Sequence, residues 1–118
     1  MGNNLEKGKE GEQLATQFLM EKGYQILTNN YRYKRGEIDL IALHEHFLVF
    51  VEVKLRRDIT FGYPEEAVDT QKAKRIIQTA EQYILQHNWQ GDIRFDIIAI
   101  VQSTLGEREI SHFEDAFY

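Results

Sequence analysis

The sequence predicts an α/β domain in three layers, with a mixed central β-sheet flanked by a helix on each face. Two segments carry apolar residues at the 3.6-residue spacing of amphipathic helices. The remaining predicted elements show the continuous apolar runs, or the alternation of apolar and polar residues, that are typical of buried strands. They follow in the order helix, three strands, helix, one or two strands, which favours a sheet covered on both sides. The 118 residues fit a single domain, residues 1–118, because domains cluster at roughly 100–150 residues.

The predicted elements have recognisable ends. The first helix covers residues 5–22 and is followed by Gly23, where a C-cap glycine belongs, and the second covers residues 70–87. Asn29 and Asn30 are expected to interrupt the first strand. The remaining elements are strands at 24–33, 37–43, 48–54 and 93–101, a short strand around Ile110, and a loop at 57–63.

The composition excludes several kinds of site. The chain has no cysteine, so it cannot form disulfides, thiolate zinc sites or a cysteine nucleophile. No apolar run approaches the ~20 residues of a membrane helix. The N-terminal stretch MGNNLEKGKEGEQ is polar and charged, unlike a signal peptide. We therefore expect a soluble cytoplasmic protein that does not contact membranes.

The charge distribution is uneven. The chain has 14 basic and 19 acidic residues, a net charge of −5, which argues mildly against non-specific binding of nucleic acid. Basic residues nevertheless gather near the second and third strands and the second helix. Lys72 and Arg75 lie one turn apart near a helix start, which favours phosphate, although a solvated helix face is the preferred interpretation. The candidates for contacting a nucleic-acid backbone are Arg35, Arg56, Lys72 and Arg75.

The stretch GEIDLIALHEHFLVFVEVK, residues 36–54, places charges inside two apolar strands. Because few residues separate the strands, they should pair antiparallel around a turn at Glu45–His46. This register puts Asp39 opposite Glu52, and Glu37 opposite Lys54. The charged residues would share one face with Ile41, Leu43, Leu48 and Phe50, and the opposite face would be Ile38, Leu40, Ala42, Val49, Val51 and Val53.

Opposed carboxylates call for a compensating group. Directly opposed Cβ atoms lie ~4.5–5.5 Å apart, and like charges at that distance repel. Either one carboxyl has a raised pKa or a cation lies between the two. Asp39 and Glu52, with the Val53 carbonyl, are candidate ligands for Mg²⁺ or Mn²⁺, since such hard ions take carboxylate oxygens. Lys54 could contact phosphate, position or deprotonate water, or stabilise a transition state; an ordinary Glu37–Lys54 ion pair is the structural alternative.

The pattern Asp, short gap, Glu-x-Lys on the next strand resembles the signature of PD-(D/E)xK nucleases, with Ile38 where their name has proline. Further segments, GKEGEQLATQFLMEKGYQIL, NYRYKRGEIDLIA, FVEVKLR, AVDTQKAKRI and FDIIAI, resemble the YraN-type family, bacterial proteins described as similar to archaeal Holliday-junction resolvases. The resemblance implies a restriction-endonuclease-like core and metal-dependent hydrolysis of DNA. It implies Asp39 and Glu52 as metal ligands, Lys54 as the catalytic lysine and Glu12 as a catalytic carboxylate on the first helix.

Two functions are therefore expected. The first is a metal-dependent endonuclease for branched or otherwise unusual DNA, for which a homodimer would suit a two-strand cut. The second is a binding module that keeps the nuclease fold and docks nucleic acid or a protein, with weak or absent catalysis. A purely structural ion network is a third interpretation. Asp96, inside FDIIAI, is expected to pair with a neighbouring arginine rather than to support the site.

Overall fold

The computed structural model describes residues 3–56 and 69–117, and for residues 3–8 the backbone alone. The predicted order of elements is confirmed within this part of the chain, whereas the predicted loop at 57–63 lies outside it. The elements are α1 (Asn3–Glu21), β1 (Gln25–Tyr33), β2 (Gly36–His44), β3 (Phe47–Arg56), α2 (Thr70–His87), β4 (Asp92–Gln102) and β5 (Arg108–Phe113). Neither helix is long and apolar enough to cross a membrane.

The described strands form one five-stranded sheet in the order β1-β2-β3-β4-β5. Strands β3 and β4 are parallel, and every other neighbouring pair is antiparallel. A parallel pair needs a crossover rather than a tight turn, and α2 lies in that crossover. The mixed sheet predicted from the order of elements is thus confirmed.

A helix covers each face of the sheet, which gives the three layers of a restriction-endonuclease-like core. On the first face, Ala15 and Leu19 of α1 pack against β2, β3 and β4. On the second face, Ile76 and Ala80 of α2 do the same. The strand residues of the first face include Leu40, Ala42, Val49, Val51, Ile98 and Ile100; those of the second include Ile41, Leu48, Phe50 and Phe95.

The predicted pairing of β2 with β3 is confirmed near the turn and wrong beyond it. The ladder runs from His44–Phe47 to Leu40–Val51 and ends there, so Asp39 does not pair with Glu52 nor Glu37 with Lys54. Past this point β2 pairs only with β1.

Ile38 is a second correction, because it was predicted to share a face with Leu40 and Ala42, which lie in the α1 core, but it packs in the α2 core. It lies opposite Tyr31 of β1, which belongs to the same α2 core. The neighbouring Asn30 is in the left-handed region, with φ 53°, while β1 continues through it as a strand. The alternation of faces along β2 therefore breaks where its ladder with β3 ends.

Two local features position α2. The side chain of Asp69 accepts a hydrogen bond of 2.8 Å from the Lys72 N–H, which caps the helix and fixes its first turn. Gly36, at the start of β2, is buried against the same helix. A Cβ at Gly36 would collide with Thr79 Oγ1 and lie 3.0 Å from the Arg75 carbonyl oxygen. Glycine is thus required for β2 to approach α2 this closely.

Candidate functional site

The candidate site lies where β2 and β3 diverge. Beyond the Leu40–Val51 pair, the Val53 N–H donates a hydrogen bond of 2.8 Å to Asp39 Oδ2. A side-chain oxygen thus takes the place of the backbone acceptor that a continuing ladder would supply. The Asp39 side chain is held between the two strands and reaches the residues next to Val53.

The two acids of the prediction are brought together despite the changed register. The carboxyl groups of Asp39 and Glu52 lie close enough to interact directly, and a hydrogen bond between two carboxyls requires a proton on one of them. Glu52 is only 7% exposed. Burial, followed by the hydrogen bond and the negative charge of Asp39, raises the pKa of Glu52 to about 8, against the opposing effect of Lys72 and Lys54. One of the two alternatives drawn from the sequence, a raised pKa, is therefore present in the metal-free protein.

Two ammonium groups flank Glu52. Lys54 Nζ lies 4.0 Å and Lys72 Nζ 3.7 Å from Glu52 Oε1. Burial, and then the neighbouring Lys72, lower the pKa of Lys54 to about 8. The side chain of Lys54 is 13% exposed and that of Lys72 31%, so Lys72 lies on the solvent side. We call Asp39, Glu52, Lys54 and Lys72 the Glu52 cluster.

The contact between Lys72 and Glu52 was missed at the sequence level, where Lys72 was a candidate for nucleic-acid contact only. The residues are far apart in sequence, and their contact depends on how α2 packs against the sheet. The one sequence signal is Asp69, a helix N-cap residue type, which places Lys72 in the first turn of α2.

Glu12 faces this region from α1. Its carboxylate accepts a hydrogen bond of 2.9 Å from Asn30 Nδ2. Burial, and then the charges of Asp39 and Glu37, raise the pKa of Glu12, although the Asn30 hydrogen bond and Arg32 oppose the shift. Glu12 is therefore within electrostatic reach of Asp39. No sequence pattern indicates the contact between Glu12 and Asn30, because the two residues belong to different elements, α1 and β1.

The remaining predicted residues lie outside the cluster. Arg35 and Arg75 line one cavity between the β1–β2 turn and α2. Arg56 is exposed at the end of β3 and makes no ion pair within the described ranges. Glu37 was expected opposite Lys54, but it forms an ion pair of 2.7 Å with Arg32 of β1 instead, because β2 pairs with β1 at this point.

Asp96 belongs to a separate buried group, and its predicted pairing with an arginine is confirmed. Both Asp96 oxygens accept bonds of 2.9 Å from Arg94, and Asp96 Oδ2 lies 2.7 Å from His112 Nε2. The Asp115 N–H adds a bond of 3.1 Å. Burial would raise the pKa of Asp96, but the bonds from His112, Arg94 and Asp115 outweigh it and lower that pKa. We call Asp96, Arg94 and His112 the Asp96 cluster.

The donor set of the Glu52 cluster fits a hard divalent ion. Two carboxyls that share a proton can bind a cation in its place, and the Val53 carbonyl is the adjacent backbone oxygen. Within residues 3–56 and 69–117, no group of three or more acids or histidines is arranged to hold a metal ion. An ion at Asp39 and Glu52 would complete its shell with backbone oxygen and water, as Mg²⁺ commonly does.

Sequence comparison relates this fold and site to other proteins. A family described as "Uncharacterised protein family UPF0102" matches residues 11–100. The chain belongs to the UPF0102 family. A UPF0102 protein of Clostridioides difficile is 48% identical over 116 residues, 98% of this chain and 99% of the relative. A UPF0102 protein of Flavobacterium psychrophilum is 42% identical over 118 residues, 100% of this chain and 98% of the relative. The UPF0102 match includes the whole Glu52 cluster and Glu12.

Proposed function

We propose that this UPF0102 protein is a metal-dependent endonuclease that hydrolyses phosphodiester bonds in DNA, with branched or junction DNA as its substrate class. The observation that carries the proposal is the buried Glu52 carboxyl. It shares a hydrogen bond with Asp39 and has two ammonium groups within 4.0 Å. Buried carboxylates are rare unless they are paired or coordinate a metal, and perturbed pKa values such as that of Glu52 cluster at functional sites.

In this proposal Asp39, Glu52 and the Val53 carbonyl hold Mg²⁺ or Mn²⁺. The bound ion would polarise a phosphoryl oxygen and favour hydroxide as the nucleophile. Asp39 is fixed by the Val53 N–H at 2.8 Å, so its second oxygen remains for a ligand. The hydrogen bond to Val53 thus orients the carboxylate before an ion arrives.

The lysines have separate roles in the reaction. Lys54, which is 13% exposed, can contact a phosphate oxygen and stabilise the charge that develops on it. Lys72 lies on the solvent side and would meet the DNA backbone first. Glu12 approaches Asp39 from α1 and, with Asn30, can hold a water molecule by hydrogen bonding. The proposed substrate must therefore reach the end of the sheet where β2 and β3 part.

A second candidate function is a DNA-binding module with weak or absent catalysis. It is favoured by the absence, in the described part of the chain, of a third acid or histidine completing a metal cage around Asp39 and Glu52. In this function the cluster would serve as a docking point for phosphate through Lys54 and Lys72. Cleavage assays separate the two functions directly.

The deciding assay incubates single-stranded, duplex, flapped and four-way DNA with the protein in Mg²⁺, Mn²⁺ or a chelator. We expect metal-dependent cleavage that falls by at least about 100-fold in Glu52→Gln and in Lys54→Ala. The matched control is Glu37→Gln, because Glu37 is also an acid of this hairpin but bonds Arg32 outside the cluster. It should cleave close to the wild-type rate.

Two results would count against hydrolysis. Cleavage that survives in both Glu52→Gln and Lys54→Ala would place the activity elsewhere or in a contaminant. Binding of DNA without cleavage on any substrate, in either metal, would favour the binding module. Gel filtration with light scattering on the same DNA complexes tests the homodimer that a two-strand cut would use.

A further inference from the structure

A second concave surface lies beside the Glu52 cluster, and neither the proposed chemistry nor the family assigns it a role. It is a cavity of about 550 Å³ between the turn that joins β1 to β2 and the outer side of α2. We call it the turn–helix cavity. Its lining carries the cations Lys34, Arg35 and Arg75, and the single acid Glu81.

These three cations have no carboxylate partner within residues 3–56 and 69–117. Three other arginines do have one: Arg32 pairs with Glu37, Arg94 with Asp96 and Arg108 with Glu10, whereas the exposed Arg56 has none in the described ranges. Unpaired cations that converge on one concavity repel each other and attract an anion. The net charge of the chain is −5, so this local excess of positive charge runs against the overall composition.

The cavity is held in shape by contact between its two walls. Gly36 packs so closely on α2 that a Cβ there would lie 3.0 Å from the Arg75 carbonyl oxygen. The same carbonyl accepts a hydrogen bond of 2.7 Å from Thr79 Oγ1. The turn is further fixed by Lys34, which has φ 54° and places its ammonium 5.3 Å from the centre of the Tyr33 ring. The backbone positions from which the cations extend are therefore fixed by packing and not by a ligand.

The cavity is close enough to the Glu52 cluster for one DNA strand to reach both. Gly36 and Asp39 lie three positions apart on β2, which is roughly 10 Å at about 3.3 Å per residue. Arg75 follows Lys72 by one helical turn on α2. These spacings separate the backbone positions that carry the two sets of side chains, and they are short enough for one DNA strand to reach both places within a few nucleotides.

A groove on the other side of the sheet differs in charge. It has a volume of about 720 Å³, lies between α1 and β1, and is lined by Glu12 and Glu21 with Lys9 as its one cation. The amides of Gln13, Gln17, Asn29 and Asn30 make up much of the rest. This groove is unfavourable for phosphate, so the charge directs a DNA backbone to the α2 side.

We propose that the turn–helix cavity binds a backbone phosphate of the same DNA strand, within a few nucleotides of the bond that the Glu52 cluster cuts. Arg35 and Arg75 provide the principal contacts, since guanidinium groups match phosphate geometry, and Lys34 adds charge. The inference rests on the proposed function for its ligand, DNA, and adds the direction in which the bound strand leaves the site.

The test compares two double variants that remove the same charge. Arg35→Gln/Arg75→Gln removes the cavity contacts, and Lys9→Gln/Lys74→Gln removes two exposed cations elsewhere. Fluorescence anisotropy in a chelator measures the binding of labelled single-stranded and four-way DNA between 50 and 200 mM salt. We expect the cavity double variant to bind at least about 10-fold more weakly and its salt slope to fall by about 1, for the one phosphate contact that is lost. The control should lose less than about 3-fold and keep its slope.

Equal losses in the two double variants, no loss in the cavity variant, or no DNA binding by the wild type would each overturn the inference. Thermal unfolding of both variants, compared with wild type, confirms that a loss reflects the surface and not folding. The cleavage assay is read separately. If DNA binding depends on Arg35 and Arg75 but no substrate is cleaved, the cavity inference is supported and hydrolysis is rejected. If DNA is cleaved but the cavity variant binds it as the wild type does, hydrolysis is supported and the cavity inference is rejected.

Discussion

The Glu52 cluster and the Asp96 cluster are both buried groups of acids and bases in the same sheet, but their electrostatics are opposite. Asp96 is fully buried, and each of its oxygens receives at least two hydrogen bonds of 3.1 Å or less. Glu52 meets its lysines only at 3.7–4.0 Å and shares a hydrogen bond with another acid. Accordingly the pKa of Asp96 is lowered and that of Glu52 is raised.

The difference shows that burial of a charge does not by itself mark a functional site. A buried ion pair with complete hydrogen bonding compensates much of its desolvation, as around Asp96, and its role is to hold the end of the chain to the sheet. A buried acid with incomplete compensation is poised for a ligand. The comparison therefore predicts opposite consequences of substitution in the two clusters.

The largest expected effect is on stability. Asp96→Ala removes both 2.9 Å bonds of Arg94 and leaves it only the exposed Glu114 carboxylate at 3.6 Å, and we expect a loss of about 3–5 kcal/mol in the free energy of unfolding. Asp92→Ala, on the same strand but exposed, is the matched control and should change it by less than about 1 kcal/mol. Glu52→Gln keeps a hydrogen-bond donor for Asp39 and removes the cost of burying an ionisable carboxyl, so it should be neutral or stabilising. Urea denaturation measures all three.

The comparison would fail if Glu52→Gln were as destabilising as Asp96→Ala. That result would mean that the lysines compensate Glu52 fully in the folded protein, and the Glu52 cluster would be a structural ion network. The two substitutions lie in different clusters on opposite faces of the sheet, so their effects should be additive.

Metal binding should act on only one of the clusters. With Mn²⁺ at 100 times its dissociation constant, wild-type protein should gain about 2.7 kcal/mol of stability. Asp39→Asn should abolish most of this gain, whereas Glu37→Gln should keep it. Because the ion displaces the proton of the Asp39–Glu52 pair, affinity should rise with pH by up to about tenfold per pH unit below pH 8. Calorimetry in two buffers of different ionisation enthalpy measures the released proton.

Equal affinity of Asp39→Asn and wild type for Mn²⁺ would remove Asp39 as a ligand. Binding without proton release would show that the ion does not displace the shared proton. Either outcome would separate the acid pair from the metal and leave the raised pKa of Glu52 without a functional explanation.

The pH dependence of stability follows from the direction of each shift. The pKa of Glu52 is raised from 4.5 to about 8, so its contribution is complete below pH 4.5 and is lost as pH rises towards 8. The pKa of Lys54 is lowered from 10.5 to about 8, so its contribution is complete above pH 10.5 and is lost as pH falls towards 8. Metal-free protein should therefore lose up to about 1.4 kcal/mol per pH unit between pH 5 and 8 relative to Glu52→Gln.

The Asp96 cluster should respond at the other end of the pH scale. The pKa of Asp96 is lowered from 3.8, so its contribution is present above pH 3.8 and is lost as pH falls below that value. Chemical denaturation between pH 5 and 8, with a chelator, should thus report on Glu52 but not on Asp96. Parallel curves for wild type and Glu52→Gln across this range would refute the raised pKa of Glu52.

Much of the fold could be predicted because it depends on local periodicity. The alternation of apolar residues gave the register of β2 with β3 from Leu40 to His44, and Glu52 and Lys54 share a site because they are two residues apart on one strand. The end of the ladder could not be predicted. The pairing prediction assumes that β2 continues to supply backbone carbonyl acceptors to β3. Here the Asp39 side chain instead accepts the hydrogen bond from the Val53 N–H. This substitution also explains why the prediction for Ile38 was wrong.

Other parts of the site depend on tertiary packing that no local pattern encodes. Lys72 reaches Glu52 because α2 packs on the sheet through Ile76 and Ala80, and the turn–helix cavity exists because Gly36 admits α2 so closely. Sequence can identify the residue types that suit a site. The approach of a helix from a distant part of the chain decides which of them meet.

The smallest expected effect concerns Glu37, the acid of β2 that lies outside both clusters. Its ion pair with Arg32 is 2.7 Å long, but the two side chains are 38% and 75% exposed, so Glu37→Gln should cost only about 0.2–1 kcal/mol. Glu37 also contributes to the raised pKa of Glu12, so the substitution should lower that pKa, which NMR titration of the carboxyl carbons can follow. A loss of stability as large as that of Asp96→Ala would contradict the comparison. It would show that an exposed ion pair stabilises this sheet as much as a buried and fully hydrogen-bonded one.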